Sequence, residues 1–267
     1  MEQCMIYHYC NALVFESIRN TKEIWLSDIT KMNDKSEYKS GYEIIREVLR
    51  EFDLDDHDIV NEMSDENLNE TFQILIGCFS NNGDIKSQWS EYAENGTGVS
   101  IGFDEEKIKQ NNVFNRYIEN GFDPITNSVD FIKVNYDEAL FRDYARAIIQ
   151  NYVNSQSIIK WKLLSRTLMH LSISYKDSFF SEENETRAVV SLEHNRDEKY
   201  QVEQRETSYG KTNFHRLKTS YEQFQSIEEV IIGPKSILTV DEVTSMLEAV
   251  GINGVSVKLS SATDKYR

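Results

Sequence analysis

"TFQILIGCFS", residues 71–80, is a run of β-branched, aromatic and small residues, long enough for a strand buried on both faces. A segment of this kind is the centre of a sheet, and its neighbours decide which sheet. Upstream, "MIYHYC" (5–10) reads as a strand, "NALVFESIRN" (11–20) as a short helix capped by Asn11 with Leu13, Val14 and Ile18 on one face, and "EIWLSDI" (23–29) as a second strand. "SEYKSGYEIIREVLREF" (36–52) carries Tyr42, Ile45, Val48, Leu49 and Phe52 at helical spacing, and an acidic helix or loop follows through 70. Downstream come the strand "GVSIGFD" (98–104), with Asp104 as the next helix cap, and the strand "VDFIKVNY" (129–136). A mostly helical stretch from Asp137 to about 176 places Trp161, Leu164 and Leu168 on one stripe. "TRAVVSL", "YQVEQRE", "EEVIIGP" and "GVSVKLS" return as strands, the last two flanking a helix begun by Thr239.

This order is mixed and does not alternate strand with helix, so the expectation is an α+β architecture with a split, largely antiparallel sheet and surrounding helices. With two prolines and no Gly/Ser-rich linker, residues 1–267 read as one domain carrying a helical insertion around 137–176.

The global chemistry excludes several classes. A net charge of −16 argues against a protein that coats nucleic acid, which needs clustered Lys and Arg. Residues 1–130 hold 11 basic and 26 acidic residues, a net −15, so the rest is near neutral. Between Tyr144 and Lys176 there is no carboxylate, and "KTNFHRLKTS" (211–220) is likewise acid-free; each reads as a solvated face or a phosphate-binding surface. Cys4, Cys10 and Cys78 lack metal or disulfide spacing, and the five histidines are scattered, so no metal site is expected. Neither an apolar run of membrane length nor a leader pattern occurs, which points to the cytoplasm with no membrane partner. P-loop, dinucleotide, nucleophile-elbow and zincin motifs are absent, and the glycines of "GTGVSIGF" (96–103) read as turn and bulge positions.

Three clusters combine residues that a core avoids. In "YHY", alternation sends His8 to one face and Tyr7 and Tyr9 to the other; a buried histidine is costly unless its ring nitrogens are bonded. In "WLSDITKMNDKSE" (25–37), Ser27, Asn33, Asp34 and Glu37 crowd a strand exit, where turns and capping also explain them. In "FFSEENETRAVV" (179–190), Glu183, Glu185 and Arg187 share one face if the segment is extended, an arrangement that requires pairing or chemistry. "SQWSEYAENG" (87–96) adds Trp89 and Tyr92, able to stack on a planar ring or to anchor a helix.

In this order, "YHYC…IWLS…MNDKSE", "CFS…SQWSEYAENGTGVSIGF", "FFSEENETR", "EVIIGP" and the closing "SSATDKYR" resemble the bacterial domain-of-unknown-function family 2971, over residues 6 to 267. Cys10 stands where that family often has Thr, and Thr263-Asp264 replaces the usual turn before the terminal Tyr-Arg. The layout is also similar, remotely, to ADP-ribosyltransferases of the His-Tyr-Glu type, including the DNA-targeting toxin branch. That similarity implies an NAD-dependent enzyme transferring ADP-ribose to a macromolecular acceptor, nucleic acid or protein, as a toxin or antiphage effector with an antitoxin or operon partner. By the same implication, His8 bonds the ribose or amide of NAD and belongs to the catalytic set, Tyr9 and Asn33 line the dinucleotide, Ser27 lies beside the nicotinamide pocket, and Trp89 or Tyr92 gives a stacking face. Glu185 or its neighbour Glu183 is the catalytic carboxylate, and Arg187 offsets the pyrophosphate or holds the glutamate. No metal is needed, since a carboxylate alone stabilises the positive charge that develops on the ribose. Two alternatives are an NAD glycohydrolase, with water as acceptor, and a non-catalytic nucleotide-sensing or interaction module.

Overall fold

The computed structural model describes residues 4–31, 36–55, 58–64, 72–112, 129–155, 161–193, 203–207, 210–221, 224–263 and 265. Asn33, Asp34, the acidic stretch 65–70, Lys160 and the closing Tyr266-Arg267 lie outside them.

The protein is α+β, with a mixed and largely antiparallel sheet. The run that opens the sequence is its organising strand, β3 (Phe72–Ser80). One edge of β3 is taken along its whole length by β6 (Glu185–Glu193), from Phe72 opposite Glu193 to Ser80 opposite Glu185, and β5 (Asp130–Lys133) continues outward from β6. A strand has two edges, so β1 (Met5–Cys10) and β2 (Glu23–Asp28) must share the other. β1 meets β3 at Tyr7–Ser80, and β2 meets it at Ser27–Ile76 and Asp28–Leu75. The sheet therefore forks along β3. Beyond β1 lie β4 (Val99–Asp104), β11 (Ile227–Ile232) and the parallel strand β12 (Ser256–Leu259). Beyond β2 lie β8 (Gly210–Lys218) and β7 (Glu203–Thr207), and a short pair, β9 (Ser220–Tyr221) and β10 (Phe224–Gln225), forms separately.

Alternation along these strands builds a core on each face. On the first face, Ile6, Leu26, Leu75, Phe79 and Ile101 pack under Phe15 and Ile18 of α1 (Ala12–Thr21), Ile108 of α5 (Glu105–Asn111) and Val243 and Leu247 of α8 (Val240–Glu248). On the second, Ile74, Ile76 and Val189 pack under α2 (Ser36–Arg50), α6 (Glu138–Asn154) and α7 (Trp161–Ser172) through Ile45, Leu49, Phe141, Ile149 and Leu168. A shorter helix, α3 (Asp58–Glu62), adds Ile59 to that core, and α4 (Lys86–Glu91) covers the second face of β1 with the buried Trp89.

The caps expected at Asn11, Asp104 and Thr239 all form, with Asn11 and Asp104 accepting from Val14 and Lys107 N–H and Thr239 completing a capping box with Glu242. The buried face of α1 differs from expectation. Leu13 and Val14 are exposed while Phe15 and Ile18 go inward, because the chain enters the helix from β1 with that side against the sheet. The acid-free segment 211–220 is largely strand β8, an element that its polar composition had not signalled. Gly98 is required by a close approach: a Cβ there would stand 2.0 Å from the Cys10 carbonyl oxygen. Gly77 is required by Leu26, whose side chain occupies the space of its missing Cβ. No disulfide joins Cys4, Cys10 and Cys78, and among the described residues no helix is long and apolar enough to cross a membrane.

Candidate functional site

The register fixes which side chains can meet. Tyr7, Ser80 and Glu185 form one row across β1, β3 and β6, and directly opposed residues project to the same face. His8 is the next residue after Tyr7, so it projects to the other face, where its ring lies 5.8 Å from that of Phe79. His8 and Glu185 are thus two strands apart in the sheet, with side chains on opposite faces.

His8 stands where β1 and β2 part from β3. Its Nδ1 is 3.5 Å from the Cys78 carbonyl oxygen, a long contact in which a neutral ring donates from Nδ1 and leaves a lone pair on Nε2. Desolvation holds its pKa below the ordinary histidine value, against the smaller upward pull of that carbonyl.

On the opposite face, Glu185 opens β6 as a buried carboxylate. Arg187 Nε donates to Oε1 at 2.8 Å, Arg187 Nη2 to Oε2 at 3.3 Å, and Lys176 Nζ to Oε2 at 3.4 Å. Burial alone would raise the Glu185 pKa, but Arg187 and Lys176 outweigh it and the net shift is downward, so the group is a carboxylate. Arg187, with no exposed surface, spends Nη1 on the Ile173 carbonyl at 2.8 Å, and Tyr136 O–H accepts from Glu185 N–H at 2.9 Å.

Glu183 is not on the strand. It ends a 3₁₀ turn (Ser178–Glu183), and Asn184 turns the chain with φ 45° before β6 begins, so the three-residue ladder expected for an extended segment is reduced to Glu185 and Arg187. Lys176 restores the proximity: its Nζ donates to Glu183 Oε2 at 2.5 Å as well as to Glu185, and lies over the Phe180 ring. Tyr92 O–H, on a half-exposed ring, donates to Glu183 Oε1 at 3.3 Å. The result is a network of two carboxylates and two cations, buried at Glu185 and open at Glu183 and Tyr92.

The other expected contacts divide in the same way. Trp89 is fully buried, edge-on to Tyr9 at 4.9 Å, and donates Nε1–H to Asp84 Oδ1 at 2.7 Å, so it offers no face to a ligand. Tyr9 O–H donates to the Asn82 carbonyl and accepts from Ile85 N–H, both at 2.8 Å, and burial raises its pKa. Both residues brace the 81–85 loop. Arg187 cannot reach a pyrophosphate, because it is enclosed and engaged by Glu185 and Ile173. Ser27 stands apart from all of these and accepts from Arg205 Nη2 at 2.8 Å.

Lys176, Tyr136 and Asp84 were not singled out as site residues. Lys176 stood in the sequence as one cation of an acid-free segment; only the turn before β6 brings it between two glutamates. No group of His, Cys, Asp and Glu among the described residues could hold a metal ion.

Residues 88–188 match the model of a family described as "Protein of unknown function (DUF2971)", a span that runs from α4 into β6 and includes Trp89, Tyr92, Glu183, Glu185 and Arg187. This match supports the family resemblance read from the ordered motifs. No curated protein and no solved structure matches the chain.

Proposed function

We propose that this protein cleaves the nicotinamide–ribose bond of NAD and transfers ADP-ribose to a macromolecular acceptor. The observation that supports this reading is the carboxylate pair Glu183 and Glu185 beside Tyr92 at the end of β3, with a desolvated histidine, His8, on the other face of the adjoining strand β1. His8 fits a ribose or amide contact because its Nδ1 is taken up by a backbone carbonyl and its Nε2 is left for a ligand. Glu183 is the less buried carboxylate of the pair; Lys176 is the positioning residue that holds it, itself anchored by Glu185, which Arg187 grips.

Chemically, the N-glycosidic bond breaks with its electron pair leaving on nicotinamide. An acceptor oxygen or nitrogen then bonds to the ribose carbon and gives up its proton, and a nearby carboxylate lowers the barrier by facing the developing positive charge. The test is incubation of the purified protein with labelled NAD and cell extract. Label on macromolecules is expected, falling on the order of 10²- to 10³-fold in Glu183→Gln. Retained transfer in both Glu183→Gln and Glu185→Gln overturns the assigned carboxylates, and free ADP-ribose without labelled macromolecule selects the glycohydrolase.

One observation favours a second reading, a nucleotide-sensing module without turnover. His8 and Glu185 project to opposite faces, and Glu185 is already matched by two cations. That reading predicts saturable NAD binding with no release of nicotinamide.

A further inference from the structure

The wing of the sheet beyond β2 carries an arrangement that the proposed reaction does not use. On the second face, Ser27 is opposite Phe214 on β8, and Trp25 is opposite Arg216. The Trp25 and Phe214 rings lie 4.6 Å apart at 34°, with Trp25 partly exposed. Both rings are covered by two guanidinium groups, Arg216 at 5.7 and 5.6 Å and Arg205, on β7, at 5.3 and 5.9 Å.

The two arginines differ in their partners. Arg216 is saturated: Nε and Nη2 donate to the two oxygens of Glu203 at 2.6 and 2.8 Å, and Nη1 donates to Glu23 at 3.0 Å. Arg205 bonds to no carboxylate among the described residues. Its hydrogen bond goes to the Ser27 hydroxyl, and its buried Nε–H has no partner among the described residues. A partly buried guanidinium without an anion is costly, since its water is lost and no charge replaces it. Because the Ser27 oxygen accepts from Arg205, its own O–H is left to donate outward.

We propose that Arg205 and Ser27 form an oxyanion site for the phosphate or pyrophosphate group of a small ligand. An oxygen placed there accepts from the Arg205 guanidinium and the Ser27 hydroxyl together, while stacking on Trp25 and Phe214 fixes the guanidinium plane. Glu23 and Glu203 flank the site and the chain carries a net −16, so an extended polyanion such as a nucleic-acid backbone is repelled more strongly than a single compact phosphate group. This assignment is independent of the NAD reading.

The probe is inorganic pyrophosphate, titrated into the full chain and followed by calorimetry and by the Trp25 indole resonance. Saturable binding is expected with a dissociation constant of about 1 mM, the weak range for one charged group at a surface. Arg205→Met keeps an apolar stem over the rings and is expected to weaken binding at least about tenfold, with Ser27→Ala weakening it about threefold. Unfolding midpoints establish that the variants fold; if Arg205→Met does not, the Ser27→Ala titration and the indole shift in the natural chain decide. No saturable binding, or binding and an indole shift unchanged in whichever of these variants folds, overturns the site. Tighter binding of a single-stranded oligonucleotide than of pyrophosphate overturns the small-ligand assignment.

Discussion

Arg187 grips the carboxylate of Glu185, two positions earlier on the same strand, with Nε 2.8 Å from Oε1 and both side chains buried. Pairs at i and i+2 share a face of a strand but rarely touch, because the pleat holds their Cβ atoms well apart. Here the length of the arginine closes that gap, and its Nη1 donates to the Ile173 carbonyl in the turn that follows α7.

Removing Arg187 leaves the buried Glu185 with only the longer Lys176 contact. Arg187→Met is expected to destabilise the protein by about 3–5 kcal/mol, the cost of breaking a buried ion pair on one side. Urea unfolding measures it, and the double variant Arg187→Met/Glu185→Gln should recover part of the loss. Additive losses in the double variant would contradict a coupled pair.

The same pair sets a pH dependence. Burial raises the Glu185 pKa, but Arg187 and Lys176 pull it further down, so its net folded-state value lies below the unfolded one. Its contribution is complete above the unfolded glutamate pKa of about 4.3 and is lost as pH falls through the lower folded value. Unfolding curves between neutral and acid pH should show a smaller loss for Glu185→Gln than for the natural chain.

His8 titrates with the opposite chemistry but the same sense. Desolvation depresses its pKa despite the Cys78 carbonyl, so the folded state resists protonation while the unfolded chain accepts a proton near pH 6.5. Stability therefore declines as pH falls below about 6.5. A titration midpoint of the His8 imidazole resonance below that of an unfolded histidine checks this; a midpoint above it contradicts it.

Asp84 ties the 81–85 loop to the segment that follows β12. It accepts from Trp89 Nε1 at 2.7 Å, Ser260 Oγ at 2.6 Å and Ser261 N–H at 2.7 Å; burial pushes its pKa up, and these donors bring the net value below the usual carboxylate range. Asp84→Ala is expected to cost about 2–4 kcal/mol, because charge-assisted bonds are lost and the indole N–H is orphaned. Hydrogen exchange should rise first around residues 260–263.

Gly98→Ala is expected to destabilise by about 1–3 kcal/mol, since the added methyl meets backbone that cannot rotate away. A thermal unfolding midpoint unchanged from that of the natural chain would contradict the close approach of β4 to Cys10.

Local pattern carried far where local physics governs. The strand at 72–80, the caps at Asn11, Asp104 and Thr239, the inward stripe of α2 and the opposition of His8 to its flanking tyrosines all depend on periods of two or 3.6 residues, or on one side chain bonding a nearby N–H. Where two faces of a helix are both apolar, the pattern misleads in part: of Leu13, Val14 and Ile18, read as one face, only Ile18 is buried, and Phe15 joins it in the core. Strand β8 went unread because one of its faces carries charged and polar residues, which only the stacked arginines and the neighbouring strand explain.

The amino-acid order alone determined an α+β chain with a buried central strand, the residue types of the candidate site and the absence of basic clustering, since composition and periodicity are properties of the chain itself. Tertiary structure decided the fork of β1 and β2 along one edge of β3, the placement of Lys176 between Glu183 and Glu185, and the meeting of Arg205 with Ser27 across 178 positions. Those relationships depend on register and on which strand takes which edge. Both are settled by backbone hydrogen bonding and core packing between distant segments, which no short-range period encodes.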